Sequence, residues 1–217
     1  QLLANLPMTW NGAAPAGSPG WSLAARSYPA FAVTQFDKSL KTETYDIFRH
    51  PDGGRKDIMR WAPGPGEKPE AELELYRPGA EIEEATPSTA AIASRMNADR
   101  TRGIGAAGVI DSKFGYVSLL DFTSEPANRP ACLGFLKNLD GLRISGWSCQ
   151  AGPPSVRRTA IGCMLDHLIL LTAGNDPKLA ELFAHAELKR GACRAAASTA
   201  SADWVTSPQN PRLRGSF

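Results

Sequence analysis

ETYDIFRHPDGGRKDIMRWA, residues 43–62, decides the fold class. Its two halves, ETYDIFR (43–49) and KDIMRWA (56–62), are short runs of strand-forming residues. Between them stands His50-Pro51-Asp52-Gly53-Gly54, where proline fixes one backbone angle and the glycines accept positive ones, so the halves are predicted to pair as an antiparallel hairpin. Outward on either side, FAVTQF (31–36) and AELELY (71–76) read as further strands. In AELELY, Leu73 and Leu75 alternate with Glu72, Glu74 and Tyr76, which predicts one buried and one wet face.

Farther along, Thr86-Pro87 carries a helix-start signal ahead of STAAIASRM, predicting a short helix near 87–98. KFGYVSLLDF (113–122) and LRISGWS (142–148) return to strand character. Two helical segments follow. In SVRRTAIGCMLDHLILLTAG (155–174) Ser155 is the expected cap and Gly174 the expected stop; in NDPKLAELFAHAELKRG (175–191) Asp176-Pro177 starts the helix and Gly191 ends it. Leu179, Leu182, Phe183 and Ala186 form one apolar stripe on the second. The first is apolar almost all round, so Leu168 is expected in the core, between the second helix and the sheet.

These readings predict an α+β domain over residues 26–194: an antiparallel sheet packed against a C-terminal helical hairpin and a short middle helix. Residues 1–25, rich in Ala, Pro, Gly and Ser, read as a linker or post-anchor segment, and 195–217 as a flexible tail. With 217 residues, 42% hydrophobic and 21% charged, the chain has ordinary globular composition and length enough for a sizeable core. A formal charge of +2 lacks the basic footprint of a nucleic-acid partner. Its longest apolar run, Ala160–Leu171, contains Asp166 and His167 and is too short to span a bilayer.

Cys132, Cys149, Cys163 and Cys193 are even in number, with no CxxC or CxxCH spacing, which argues for disulfides and an oxidising compartment and against zinc ribbons or thioredoxin chemistry. Of the three ways in which four cysteines can pair, Cys132–Cys149 with Cys163–Cys193 is the expected one, because neighbouring elements pair locally.

Gly103-Ile104-Gly105-Ala106-Ala107-Gly108 matches GxGxxG, but a charged stretch precedes it and a strand-like run follows, so a turn or strand entry is expected rather than a dinucleotide site. Cys163 and His167 are four apart on one helical face with Asp166 beside them, an arrangement a thiolate nucleophile or a metal site uses. An antiparallel return about Gly174–Asp176 brings His185 near the level of His167, as a shared metal needs. The simpler expectation is a disulfide half, a hydrogen-bonded histidine and a solvated histidine, with no catalytic residue, metal or cofactor. Glu67, Glu70, Glu72, Glu74, Glu81, Glu83 and Glu84 are expected to form a solvated acidic face.

KFGYVSLLDF, ACLGFLKN, ISGWSCQ and AGNDPKLAELFAHAELKR, covering roughly residues 112–193, resemble segments of uncharacterised envelope-anchored proteins of alphaproteobacteria. The resemblance implies a periplasmic domain behind an N-terminal anchor absent from this chain, and it transfers no functional residue. The leading expectation is a noncatalytic periplasmic or envelope module that binds a protein partner or small ligand. The alternative is a thiol- or metal-dependent enzyme using Cys163, Asp166, His167 and His185, and a third reading is a structural or assembly protein.

Overall fold

A computed structural model describes residues 20–34, 42–81, 89–96, 101–124, 132–149 and 152–191. The strands in chain order are β1 (Ser22–Leu23), β2 (Phe31–Val33), β3 (Thr42–Arg49), β4 (Arg55–Ala62), β5 (Ala71–Arg77), β6 (Thr101–Ile110), β7 (Val117–Ser124), β8 (Cys132–Leu139), β9 (Leu142–Ser148) and β10 (Leu168–Leu170). The helices are α1 (Thr89–Arg95), α2 (Pro154–Asp166) and α3 (Pro177–Leu188). Eight strands make one antiparallel sheet ordered β1-β3-β4-β5-β9-β8-β7-β6, and β10 pairs with β2 in a separate two-stranded sheet. The molecule is therefore α+β with a mostly antiparallel sheet.

The 43–62 hairpin forms as its sequence demands. Tyr45 stands opposite Met59 and Arg49 opposite Arg55, and the turn closes with His50 N–H donating to Gly54 O at 2.9 Å. Gly53 takes a φ of 100°, a conformation that a β-carbon opposes. Ser22 and Leu23, within the stretch read as linker, pair with Arg49 and Phe48 at the sheet edge.

One face of the sheet carries the main core. Met59, Trp61, Leu73, Leu75, Leu119, Phe135 and Ile144 pack with Ile161, Met164 and Leu165 of α2, Leu179 and Phe183 of α3, and Phe31 and Leu168 of the small sheet. Burying each such aliphatic or aromatic side chain contributes roughly 1.5–3 kcal/mol. On this face Asp57 is fully buried but saturated: Tyr45 Oη–H donates to it at 2.9 Å and Arg55 grips it at 2.8 and 2.7 Å.

The other face is not wet, which corrects the reading of AELELY. Glu72 is 0% and Glu74 3% exposed, and Tyr76 is buried beside them. Arg95 of α1 explains this: its Nε donates to Glu72 at 2.7 Å, Nη1 lies 3.2 Å from Glu74, and Nη2 donates to Ser145 Oγ at 3.1 Å. Arg60 bridges the second Glu72 oxygen, at 2.8 Å, to Asp46, at 2.7 Å. Burying these carboxylates is tolerable because each meets a guanidinium. Alongside, Lys56 Nζ lies 4.3 Å from the ring centre of Trp21, and the Arg143 guanidinium stacks 4.5 Å above that of Tyr76. Of the expected solvated acidic stretch, Glu67 is exposed, Glu70 and Glu81 are half-buried, and Glu83 and Glu84 lie outside the described residues.

The expected single helix over 155–174 is also corrected. α2 begins at Pro154, after Pro153 rather than a Ser155 side-chain cap, and ends at Asp166. Leu168–Leu170 then pairs with β2, Thr34 N–H donating to His167 O at 3.0 Å and Leu171 N–H to Ala30 O at 2.8 Å. A distant strand that needs a partner overrides the local helical preference. Gly174 accordingly lies in the turn before α3, with a φ of 62°, so the two helices are joined through a strand rather than as a simple hairpin. α3 starts as expected, Asp176 accepting from Leu179 N–H at 3.0 Å. The middle helix covers Thr89–Arg95, and its expected start at Thr86-Pro87 lies outside the described residues.

Candidate functional site

A cleft of about 680 Å³ runs along α2 and is bordered by the β6–β7 connection and the end of α3. Residues 158, 159, 162, 163 and 166 line it at the spacings of one helical face. Ile110, Asp111, Ser112 and Gly115 form the opposite wall, with Lys189 and Gly191 at one end. A smaller groove of about 360 Å³ lies between Ile169 and Leu170 of β10 and Ala180, Phe183, Ala184 and Glu187 of α3.

Two of the four sequence candidates line the larger cleft, and both have structural occupations. Cys163 is disulfide-bonded and so supplies no thiolate. Cys193 lies outside the described residues. The Cys132–Cys149 bridge forms as expected, across the open end of the β8–β9 hairpin. Asp166, 8% exposed, accepts the Lys113 backbone N–H at 2.9 Å through Oδ1, while its carbonyl accepts from Arg190 Nε at 2.9 Å. The other two candidates stand apart from that wall. His167 closes α2, its N–H donating to Cys163 O at 2.9 Å, and its Nδ1 lies 3.4 Å from Thr34 Oγ1. His185 is exposed on α3. Among the described residues no three His, Cys, Asp or Glu side chains gather as a metal would require.

Lys113, Arg158, Asp111 and Glu187 are site residues that sequence reasoning missed. The Lys113 side chain is fully buried; its ammonium donates to Leu168 O and Glu187 Oε1 and lies 5.3 Å from the Phe114 ring centre. Burial holds its pKa below the ordinary lysine value, with Glu187 opposing the shift and Arg190 reinforcing it. The β6–β7 connection, the end of α2 and the end of α3 are thereby locked together by one ammonium and two carboxylates. Arg158 donates Nη2–H to Ala107 O on β6. No periodicity marks either residue, since both acquire meaning only from elements far away in sequence.

The GxGxxG stretch lies inside β6, an edge strand followed by a turn and β7 rather than by a helix, so the amides that would cradle a phosphate are absent from that position. Compared with family models, with curated proteins and with solved structures, the chain matches none.

Proposed function

We propose that the protein is a noncatalytic, exported envelope module that binds a protein partner through the face formed by α2 and the β6–β7 connection. The observation that carries this reading is the occupation of the reactive groups: the Cys163 sulfur is oxidised and Asp166 accepts a buried amide. A thiol enzyme requires a thiolate that a disulfide sulfur lacks. The same face is equipped for association. Val109, Tyr116 and Val156, all exposed, stand on the elements that border the cleft, giving apolar contacts around a polar floor, as protein interfaces do. The bonded cysteines support an oxidising compartment, in keeping with the envelope-anchored proteins that the sequence resembles.

Site-specific photocrosslinking in the native cell tests the reading. A photoreactive residue at Tyr116 or Val156 is expected to yield a discrete heavier species that disappears when Val109→Glu is added, while a probe at Glu67, on an exposed turn, yields none. Smears at all three positions, or turnover of a substrate that survives Asp166→Asn but not cleft blockage, would sink it.

A further inference from the structure

We infer that the α2 cleft is a receptor for an extended peptide carrying a carboxylate and an ammonium four residues apart, the carboxylate seated on Arg158 and the ammonium on Asp166. The inference rests on the partner-binding reading of this face and adds the chemistry of what enters it.

Arg158 is held as a pre-organised fork. One nitrogen is tethered to Ala107 O, and the guanidinium passes over Gly108, where a β-carbon would stand 3.6 Å from Nη2 and 3.7 Å from Nη1. Gly108 takes a φ of 87° inside the irregular pairing of β6 with β7, so the notch under the guanidinium is built into the backbone. Nε and Nη1 carry no hydrogen bond among the described residues, and Arg158 lines the cleft, which leaves donors for a carboxylate without first ordering a flexible side chain. At the far end, Asp166 spends Oδ1 on the Lys113 amide, whereas Oδ2 accepts no hydrogen bond among the described residues. A β-carbon on Gly191 would come within 3.1 Å of Oδ2, so the glycine there keeps this oxygen open. A carboxylate oxygen that no described donor reaches favours a cationic hydrogen-bonding partner. Asp111 adds a second negative charge to the cleft wall, and Lys189 is exposed at its rim.

The spacing of the two ends sets the ligand. Arg158 and Asp166 are eight residues apart on α2, about 12 Å along its axis. In an extended peptide, side chains at positions i and i+4 project to the same side, about 13 Å apart. Side chains at i and i+2 reach only about 7 Å and cannot engage both ends.

Amide chemical-shift titration of the intact protein tests this with acetyl-Lys-Ala-Ala-Ala-Glu-amide, whose blocked ends leave only side-chain charges. Saturable shifts are expected at residues 110–115 and 158–166. Replacing the peptide's glutamate with glutamine, or shortening it to acetyl-Lys-Ala-Glu-amide, should weaken binding at least tenfold. Arg158→Gln should weaken the parent peptide as much while leaving the glutamine analogue unaffected. Because the first two comparisons change the peptide alone, they decide the matter even where Arg158→Gln loosens β6. Shifts that do not saturate, or analogues binding within twofold of the parent, overturn the inference. A rim that crosslinks to a partner in cells while the protein ignores the peptide keeps the binding module and removes this charge register; specific peptide binding without crosslinks does the reverse.

Discussion

The two faces of the eight-stranded sheet are buried by opposite means. The α2–α3 face is closed by Leu73, Phe135, Ile144 and Leu168, whose contribution follows the area removed from water. The α1 face carries a smaller apolar cluster, Ile92, Ala93, Phe122 and Trp147, beside Glu72, Glu74, Arg95 and Arg60. On that face ion pairing offsets the cost of removing charges from water rather than adding a comparable surplus. Alternation of Leu and Glu along β5 therefore reports which face is apolar, not which is dry.

Breaking the apolar face should have the largest effect. Leu168→Asp places a carboxylate among the apolar side chains of the main core, a cost of several kcal/mol that should leave no cooperative thermal transition by circular dichroism. On the charged face, Arg95→Met takes the guanidinium from Glu74 and leaves Glu72 to Arg60, and should cost about 3–5 kcal/mol in urea melts. Adding Glu72→Gln and Glu74→Gln should restore more than half of that loss, because it is the unpaired charge, not the missing contact, that destabilises. Recovery failing in the triple variant would mean that the ion pairs add net stability and that the two faces differ less than described.

The Cys132–Cys149 bridge closes a 17-residue separation on the α1 face, with both cysteines packing on the smaller apolar cluster. Replacing both with alanine should lower stability by about 3 kcal/mol through a less restricted unfolded chain. Equal denaturation midpoints for the two forms would place the bridge outside the stability of the sheet.

The smallest effect concerns the ionisable group set among apolar neighbours. Burial, and then the charge of Asp57, push Tyr45 above the ordinary tyrosine value of 10.0. The unfolded chain therefore loses this proton first, so the contribution of Tyr45 is fully present below pH 10.0 and declines as pH rises above it. Lys113, shifted downward from 10.5, has the opposite slope, with stability rising as pH climbs toward 10.5. Tyr45→Phe should cost about 1 kcal/mol at neutral pH, since Asp57 keeps Arg55, and should flatten the difference in stability from the parent above pH 10.0. Parallel pH profiles for the two proteins would count against a buried phenol.

Local chemistry made much of this fold legible. The 43–62 hairpin, β5, β9, the capped start of α3 and the Cys132–Cys149 bridge all follow from turn residues, alternation, capping and short separations. What escaped was set by partners distant in the chain. Leu168–Leu170 reads as helix until β2, over 130 residues earlier, offers it a ladder. Glu72 reads as solvated until Arg95 arrives from α1. The site divides in the same way: Cys163 and His167, with Asp166 beside them, are legible as one helical constellation, but Arg158 and Asp111 join Cys163 and Asp166 only through the cleft, and Lys113 only through its bond to Asp166.

The β6 edge of the sheet, which no further strand joins among the described residues, has a consequence for how copies of the protein meet in concentrated solution. β6 breaks its register with β7 between Thr101 and Gly103 and again between Ala106 and Val109. A neighbouring chain approaching that edge finds an interrupted row of donors and acceptors, not the straight template on which sheets extend from molecule to molecule. The irregular, glycine-rich strand thus works as a colloidal safeguard, and a continuous β-branched sequence in its place would trade dispersal for fibrous growth.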